Sequence, residues 1–290
     1  MTRIITSLSE ISESYDALFC DLWGCVHDGL APFAEAVAAL QAFRARGGTV
    51  MLVTNAPRPH APVRRQLDRL GVPSDAYDGI ATSGDSARAA MLRGAVGEKV
   101  YFIGQPHDQD FFAPLELIEN PVKISQVPLE QAEGMVCCGP FDPLADPEEM
   151  RAQFLQAKTR GLKLLCANPD IVVDRGETRE WCAGALAKLY TEMGGESLYF
   201  GKPHPPIYDL ARRRLQALGK DIPDSRILCV GDGILTDIDG AMGEDLDSLF
   251  ITGGLAARET QTADQPDPKA LMAYLTKEMR QPTYSIGKLR

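Results

Sequence analysis

The regular alternation of short apolar runs with segments of helical period constrains this 290-residue chain more than any other feature. Parallel strands need a crossover connection, and a helix is the usual one. The spacing predicts strands over 17–22, 49–54, 100–104, 134–138, 162–167, 197–201, 226–231 and 248–252. Between and after them it predicts helices over 32–46, 61–70, 84–93, 147–160, 179–193, 205–218, 236–242 and 268–279. Several of these helices carry proline in the first turn, where a missing N–H costs no hydrogen bond. The reading is an α/β fold of doubly wound parallel sheets. No repeat or low-complexity segment interrupts it.

These strands are too many for one compact sheet with every chemically suggestive end on one rim. Those ends are at Asp21, Thr54, Lys202 and Asp232, near the beginning and in the last third. The middle has strands of its own but fewer reacting groups. The expectation is a core domain made of 1–83 and 197–290, interrupted by an inserted α/β domain over 84–196. The Pro- and Asp-rich stretch 139–147 reads as a loop inside the insert.

Composition removes several function classes. The net charge is -10, whereas a general binder of nucleic acid or anionic membrane would more often be basic. No nucleic-acid or membrane partner is expected. Near Met1 there is no apolar leader-like run, and no segment is apolar for long enough to span a bilayer, so the expectation is a cytoplasmic protein. The seven cysteines form no CxxC pair and lie mostly in or beside strand-like runs. Buried thiols in a reducing compartment account for them. The four histidines are too scattered to supply a zinc site.

Four strand ends carry the chemistry. Phe19-Cys-Asp-Leu-Trp-Gly-Cys-Val-His-Asp-Gly29 delivers Asp21 from an apolar run to a glycine-containing turn. α/β sheets place their ligands at such carboxyl ends. Val50-Met-Leu-Val-Thr-Asn55 ends in a hydroxyl and an amide. In Tyr199-Phe-Gly-Lys-Pro-His-Pro-Pro206, three prolines fix Lys202 between a strand and a helix. Ile227-Leu-Cys-Val-Gly-Asp-Gly-Ile-Leu-Thr-Asp237 ends a strand in Gly-Asp and sets a second Asp five residues later. Taken singly, each has an ordinary structural explanation, such as a turn, a strand end, a surface lysine or a helix cap.

Taken together and in this order, they resemble the four-motif signature of the haloacid dehalogenase-like (HAD) superfamily. The wording is closest to its class IIA, the NagD-like group, in Val53-Thr-Asn55, Ala81-Thr-Ser-Gly84, Ala167-Asn-Pro-Asp170 and Phe200-Gly-Lys-Pro203. The resemblance covers most of the chain, leaving out the N-terminus and the tail after Pro266. It implies a Rossmann-like core with a C2-type cap. It also implies a hydrolase, a phosphatase of small phosphorylated metabolites, acting through an aspartyl phosphate on Asp21. Mg²⁺ would be held by Asp21, the Trp23 backbone carbonyl and Asp232, with Asp237 binding directly or through water. Lys202 would pair with the phosphoryl oxygens and with Asp21, while Thr54 and the Asn55 backbone N–H hold the transferring group. Asn168 and Asp170 would contact substrate, and a homodimer through the cap is compatible with the group. Carbon–halogen hydrolysis needs no metal, so the retained Asp232 and Asp237 argue against it.

One position departs from the family pattern. Trp23 stands where a second Asp usually protonates the leaving group and then activates water. An indole does neither at neutral pH, and such proton transfer is typically worth about 10²–10⁴-fold. Three alternatives remain open. His27 or Asp28 in the same flap supplies the proton, or the substrate has a good leaving group, or the chain binds phosphorylated ligands with little turnover. The Trp23 side chain itself reads as a steric or stacking surface packed under the cap.

Overall fold

The computed structural model describes residues 2–113 and 120–290. Two parallel sheets dominate it. The larger has seven strands in the order β1 (Arg3–Ile4), β14 (Tyr284–Ile286), β13 (Asp247–Ile251), β12 (Ile227–Gly231), β2 (Ala17–Cys20), β3 (Thr49–Thr54) and β4 (Gly79–Thr82). The smaller has five, in the order β11 (Glu196–Tyr199), β8 (Lys163–Cys166), β7 (Gly134–Cys137), β5 (Lys99–Ile103) and β6 (Ser125–Gln126). A short antiparallel hairpin, β9 (Val172–Arg175) with β10 (Thr178–Trp181), follows β8 in the chain as a separate two-stranded sheet.

The central strands are buried throughout and almost wholly apolar because both faces of the larger sheet are covered. Along β2, Leu18 and Cys20 enter one core, with Leu40 and Phe43 of α1 (Ala34–Ala45) and Val63 and Leu67 of α2 (His60–Leu70). Ala17 and Phe19 point the other way, against Ile207, Tyr208 and Ala211 of α6 (Pro205–Ala217). Val50 and Leu52 of β3 alternate with Met51 and Val53 in the same manner. The smaller sheet is covered by α4 (Arg151–Thr159) and α5 (Ala183–Glu192) on one face. On its other face lies α3 (Ser83–Met91), through Ala87 and Met91.

The winding of the larger sheet fixes where a site can form. From β2 the chain runs outward through β3 to β4, then returns on the other side of β2 as β12 and continues to β13. The order therefore reverses between β2 and β12, and open α/β sheets bind ligands at that crevice. The backbone N–H of Asp21 donates to the Val230 carbonyl at 2.8 Å, which ties the two strand ends together.

Several sequence expectations need correction. The expected second core segment takes in the strand leading to Lys202, but β11 pairs in register with β8 of the smaller sheet. Leu198 and Phe200 also pack into that sheet's apolar cluster, so the boundary drawn before Ser197 falls inside a strand of the inserted sheet. The helix expected from 179 starts at Ala183, because Thr178–Trp181 pairs with Val172–Arg175 as a hairpin. The segment expected as a helix from 236 opens instead as a π-turn over Ile234–Ile238. β1, β4, β6 and β14 were not foreseen. The tail beyond Pro266 belongs to the fold, with α8 (Pro268–Glu278) capped by Asp267 and β14 lying between β1 and β13.

Candidate active site

Asp21, Lys202, Asp232 and Asp237 converge at the crevice, and all four are buried. Lys202 Nζ lies 2.7 Å from Asp21 Oδ1 and 2.6 Å from Asp237 Oδ1. Burial works against its ammonium, but the two carboxylates outweigh that and hold it well above the usual lysine range. Asp237 also accepts from the Gly233 N–H at 3.0 Å, so both of its oxygens are engaged. Burial, opposed by Lys202, raises it to about 6.

Asp232 faces Asp21, and among the described residues no cation lies within ion-pair distance of it. Its Oδ2 accepts from the Leu255 N–H at 3.0 Å, and burial followed by Asp21 pushes its carboxyl well above the ordinary value. Burial likewise raises Asp21, with Lys202 opposing. A Cβ added to Gly24 would come within 2.1 Å of an Asp232 oxygen, and one added to Gly254 within 2.0 Å. Both backbones therefore close on that carboxylate. Three buried carboxylates, Asp21, Asp232 and Asp237, with one lysine among them are short of positive charge, and hard oxygen donors of this kind fit a divalent cation such as Mg²⁺. Ligand atoms of Asp21, Asp232 and Cys25 lie within 4.8 Å of one another. The Cys25 thiol was missed by the sequence reading and is the one soft donor in the group. Burial and then Asp232 keep it protonated, well above the usual thiol range.

Asn55 acts here through its side chain. Its Oδ1 accepts from Lys202 N at 2.7 Å, while its Nδ2 donates to Lys202 O at 3.0 Å and to Asp170 Oδ1 at 2.8 Å. This amide clips the end of β3 to the turn after β11 and to the loop after β8. Thr54 accepts from the Ala56 N–H at 3.2 Å and lines the cleft. Asn168 accepts from the Asp170 N–H at 3.0 Å, which is an Asx turn, and also lines it.

Two connected clefts open on Asp21 and Trp23. One, of about 600 Å³, runs beside Asp232, Asp237 and the flap. The second, of about 130 Å³, lies at the carboxyl ends of both sheets, between Thr54 and Arg58 on one side and Asn168, Arg175 and Trp181 on the other. Asp170 belongs to both, and burial, opposed by Lys202 and Asn55, raises its carboxyl to about 6.

The flap residues are placed unequally. His27 is 1% exposed and is absent from the lining of both clefts. Its Nδ1 accepts from the Gly29 N–H at 3.0 Å, and burial pushes the imidazole down to about 4. Asp28 lines the larger cleft, but its Oδ1 accepts from the Leu30 and Ala31 N–H groups, which hold it below the usual carboxylate range. Trp23 braces the flap. Its ring meets His27 edge-on at 5.0 Å, lies 5.4 Å from the Arg175 guanidinium, and leaves no room for a side chain at Gly29.

All seven cysteines are buried and free. No helix among the described residues is long and apolar enough to cross a membrane.

A family profile described as haloacid dehalogenase-like hydrolase matches residues 18–117, and a second, HAD-hydrolase-like, matches 199–277. A solved hydrolase of the haloacid dehalogenase-like family from Brucella suis is 39% identical, with a TM-score of 0.86 over 99% of this chain and 100% of that one. The 5'-nucleotidase YutF of Bacillus subtilis is 25% identical over 91% of this chain and 97% of its own length. Glycerol phosphate phosphatase from Mycobacterium tuberculosis, solved in complex with magnesium, is 26% identical, with a TM-score of 0.66 over 99% of this chain and 78% of that one.

Proposed function

This chain belongs to the haloacid dehalogenase-like hydrolase family, and we propose that it is a Mg²⁺-dependent phosphatase of small phosphorylated metabolites with Asp21 as covalent nucleophile. The observation that carries the reading is the charge arrangement at the crevice. Lys202 bridges Asp21 and Asp237 while Asp232 stands opposite without a cation. The magnesium complex of the mycobacterial phosphatase supports the choice of metal.

Asp21 and Asp232, with the Trp23 carbonyl, would hold the metal, and Asp237 would contribute through water because both of its oxygens are engaged. A bound dication supplies charge neutralisation for the phosphoryl group. The chain's own residues do the rest. Lys202 holds Asp21 in place and neutralises phosphoryl oxygens as charge spreads on to them. The Asp21 carboxylate attacks phosphorus, the bond to the leaving oxygen breaks, and an acyl phosphate forms. The Thr54 hydroxyl and the Asn55 backbone N–H steady the transferring group.

Proton transfer is the step that Trp23 displaces. His27 lies outside both clefts and Asp28 is held ionised, which weighs against both as acids. Asp170, at about 6 and lining the same clefts as Asp21, is the carboxyl suited to give the leaving oxygen its proton and later take one from water. The indole at position 23 also favours a second reading, a phospho-ligand-binding protein with little turnover. A panel of alkyl, aryl and acyl phosphates with Mg²⁺, run beside Asp21→Asn, separates the two. The phosphatase reading expects turnover lost in the variant; equal, slow hydrolysis by both proteins supports the binding reading.

A further inference from the structure

The smaller cleft holds a cation that the mechanism leaves unused. Arg58 lies just past the end of β3, four residues after Thr54, and lines the same cleft as Asp21 and Thr54. It is half-buried, and its Nη2 donates to the Gln66 amide oxygen at 2.6 Å. Among the described residues no carboxylate lies within ion-pair distance of it. The neighbouring charges are otherwise occupied. Arg175 is bound to Glu180 at 2.9 Å, Asp110 faces Arg65 at 3.6 Å, and Asp108 accepts from the Gln105 N–H at 3.0 Å. Burial, with Arg175 and Arg69 adding repulsion, lowers the Arg58 guanidinium, while Asp108 only partly compensates. A guanidinium held in a cleft by a neutral amide still has donors to offer, and its fork geometry suits carboxylate or phosphate.

The cleft extends from the phosphoryl position at Asp21 and Thr54 away toward Arg58, so what reaches Arg58 is the leaving-group side of a substrate. We propose that Arg58 is a specificity residue that receives a second anionic group, a carboxylate or a further phosphate, carried on the leaving group. This rests on the phosphatase reading of the same site. It means that the preferred substrates are compact metabolites with an acidic group besides the phosphate to be removed, and that alcohol-only leaving groups are poorer. The cleft of about 130 Å³, walled by Trp23, favours small leaving groups over extended ones.

The test compares matched substrates. 3-Phosphoglycerate and glycerol 3-phosphate differ by a carboxylate in place of a hydroxymethyl group. Fructose 1,6-bisphosphate and fructose 6-phosphate differ by a second phosphate, so the two pairs tell the anion sources apart. The expected result is at least a tenfold higher kcat/KM for the anionic member of at least one pair. That preference should fall at least tenfold in Arg58→Gln, persist in part in Arg58→Lys, and be unchanged in the surface control Arg65→Gln. The same pairs bound to Asp21→Asn, measured by calorimetry, read selection without turnover. No preference in either pair, or a preference that survives Arg58→Gln, overturns the proposal while leaving the phosphatase reading intact. Selective binding with no Asp21-dependent turnover sinks the phosphatase reading and leaves anion selection standing.

Discussion

At the scale of single residues, position 23 changes what its neighbours can do. An indole there packs the flap through His27 and Gly29, and the imidazole is buried for that purpose. Burying His27 as a neutral ring has a pH consequence. The unfolded chain takes up the proton near 6.5, but the folded ring resists it until about 4. The unfolded state binds more protons in that window, so stability falls as pH drops through it, by up to about 3 kcal/mol. In urea titrations at pH 7 and pH 4.5, His27→Gln should lose less stability on acidification than the wild type. Equal losses would remove the histidine as the cause. Much of this site was legible in the sequence, because parallel sheets put reactive groups at strand ends, where Asp21, Lys202 and Asp232 announce themselves, with Asp237 in the turn that follows. Cys25, Arg58 and the raised carboxyl of Asp170 were not, since each depends on what another element brings to it.

At the scale of elements, the crevice is assembled by connections rather than by any one strand. Asn55 holds the end of β3 to the Lys202 turn and to the Asp170 loop, three hydrogen bonds from one amide. Asn55→Ala should leave Lys202 N and O without their side-chain partner inside a buried turn, costing about 1–3 kcal/mol. It should also reduce kcat at least tenfold with little change in far-UV circular dichroism. Unchanged kcat would show that Lys202 needs no such clip. The long central strands were readable because they are buried throughout and apolar but for the two threonines that bound β3. The short ones were not. Arg3–Ile4 and Tyr284–Ile286 are too brief for any period, and Thr178–Trp181 is mostly polar and exposed, so only its pairing marks it as a strand.

At the scale of the whole molecule, two parallel sheets turn their carboxyl ends to a common cleft, where buried carboxylates outnumber the one buried lysine. The sequence anticipated an insertion but put β11 with the wrong sheet, because a lysine after a strand carries no mark of which sheet the strand joins. The imbalance predicts a linked effect on stability. Mg²⁺ at about 100 times its Kd should stabilise the protein by about 2.7 kcal/mol, seen as a rise in Tm. Asp232→Asn should abolish that rise and, without Mg²⁺, be more stable than the wild type, since it removes a buried carboxylate that lacks a cation. A variant less stable than the wild type under metal-free conditions would contradict the charge argument.

The central claim, a covalent phosphoryl-Asp21 intermediate, is tested most directly by acid-quenching the protein during turnover of a ³²P-labelled phosphate ester with Mg²⁺. The account predicts hydroxylamine-labile label on the peptide containing Asp21, absent from Asp21→Asn, which should also lose turnover. Undiminished turnover by Asp21→Asn, or label on another residue, would contradict it.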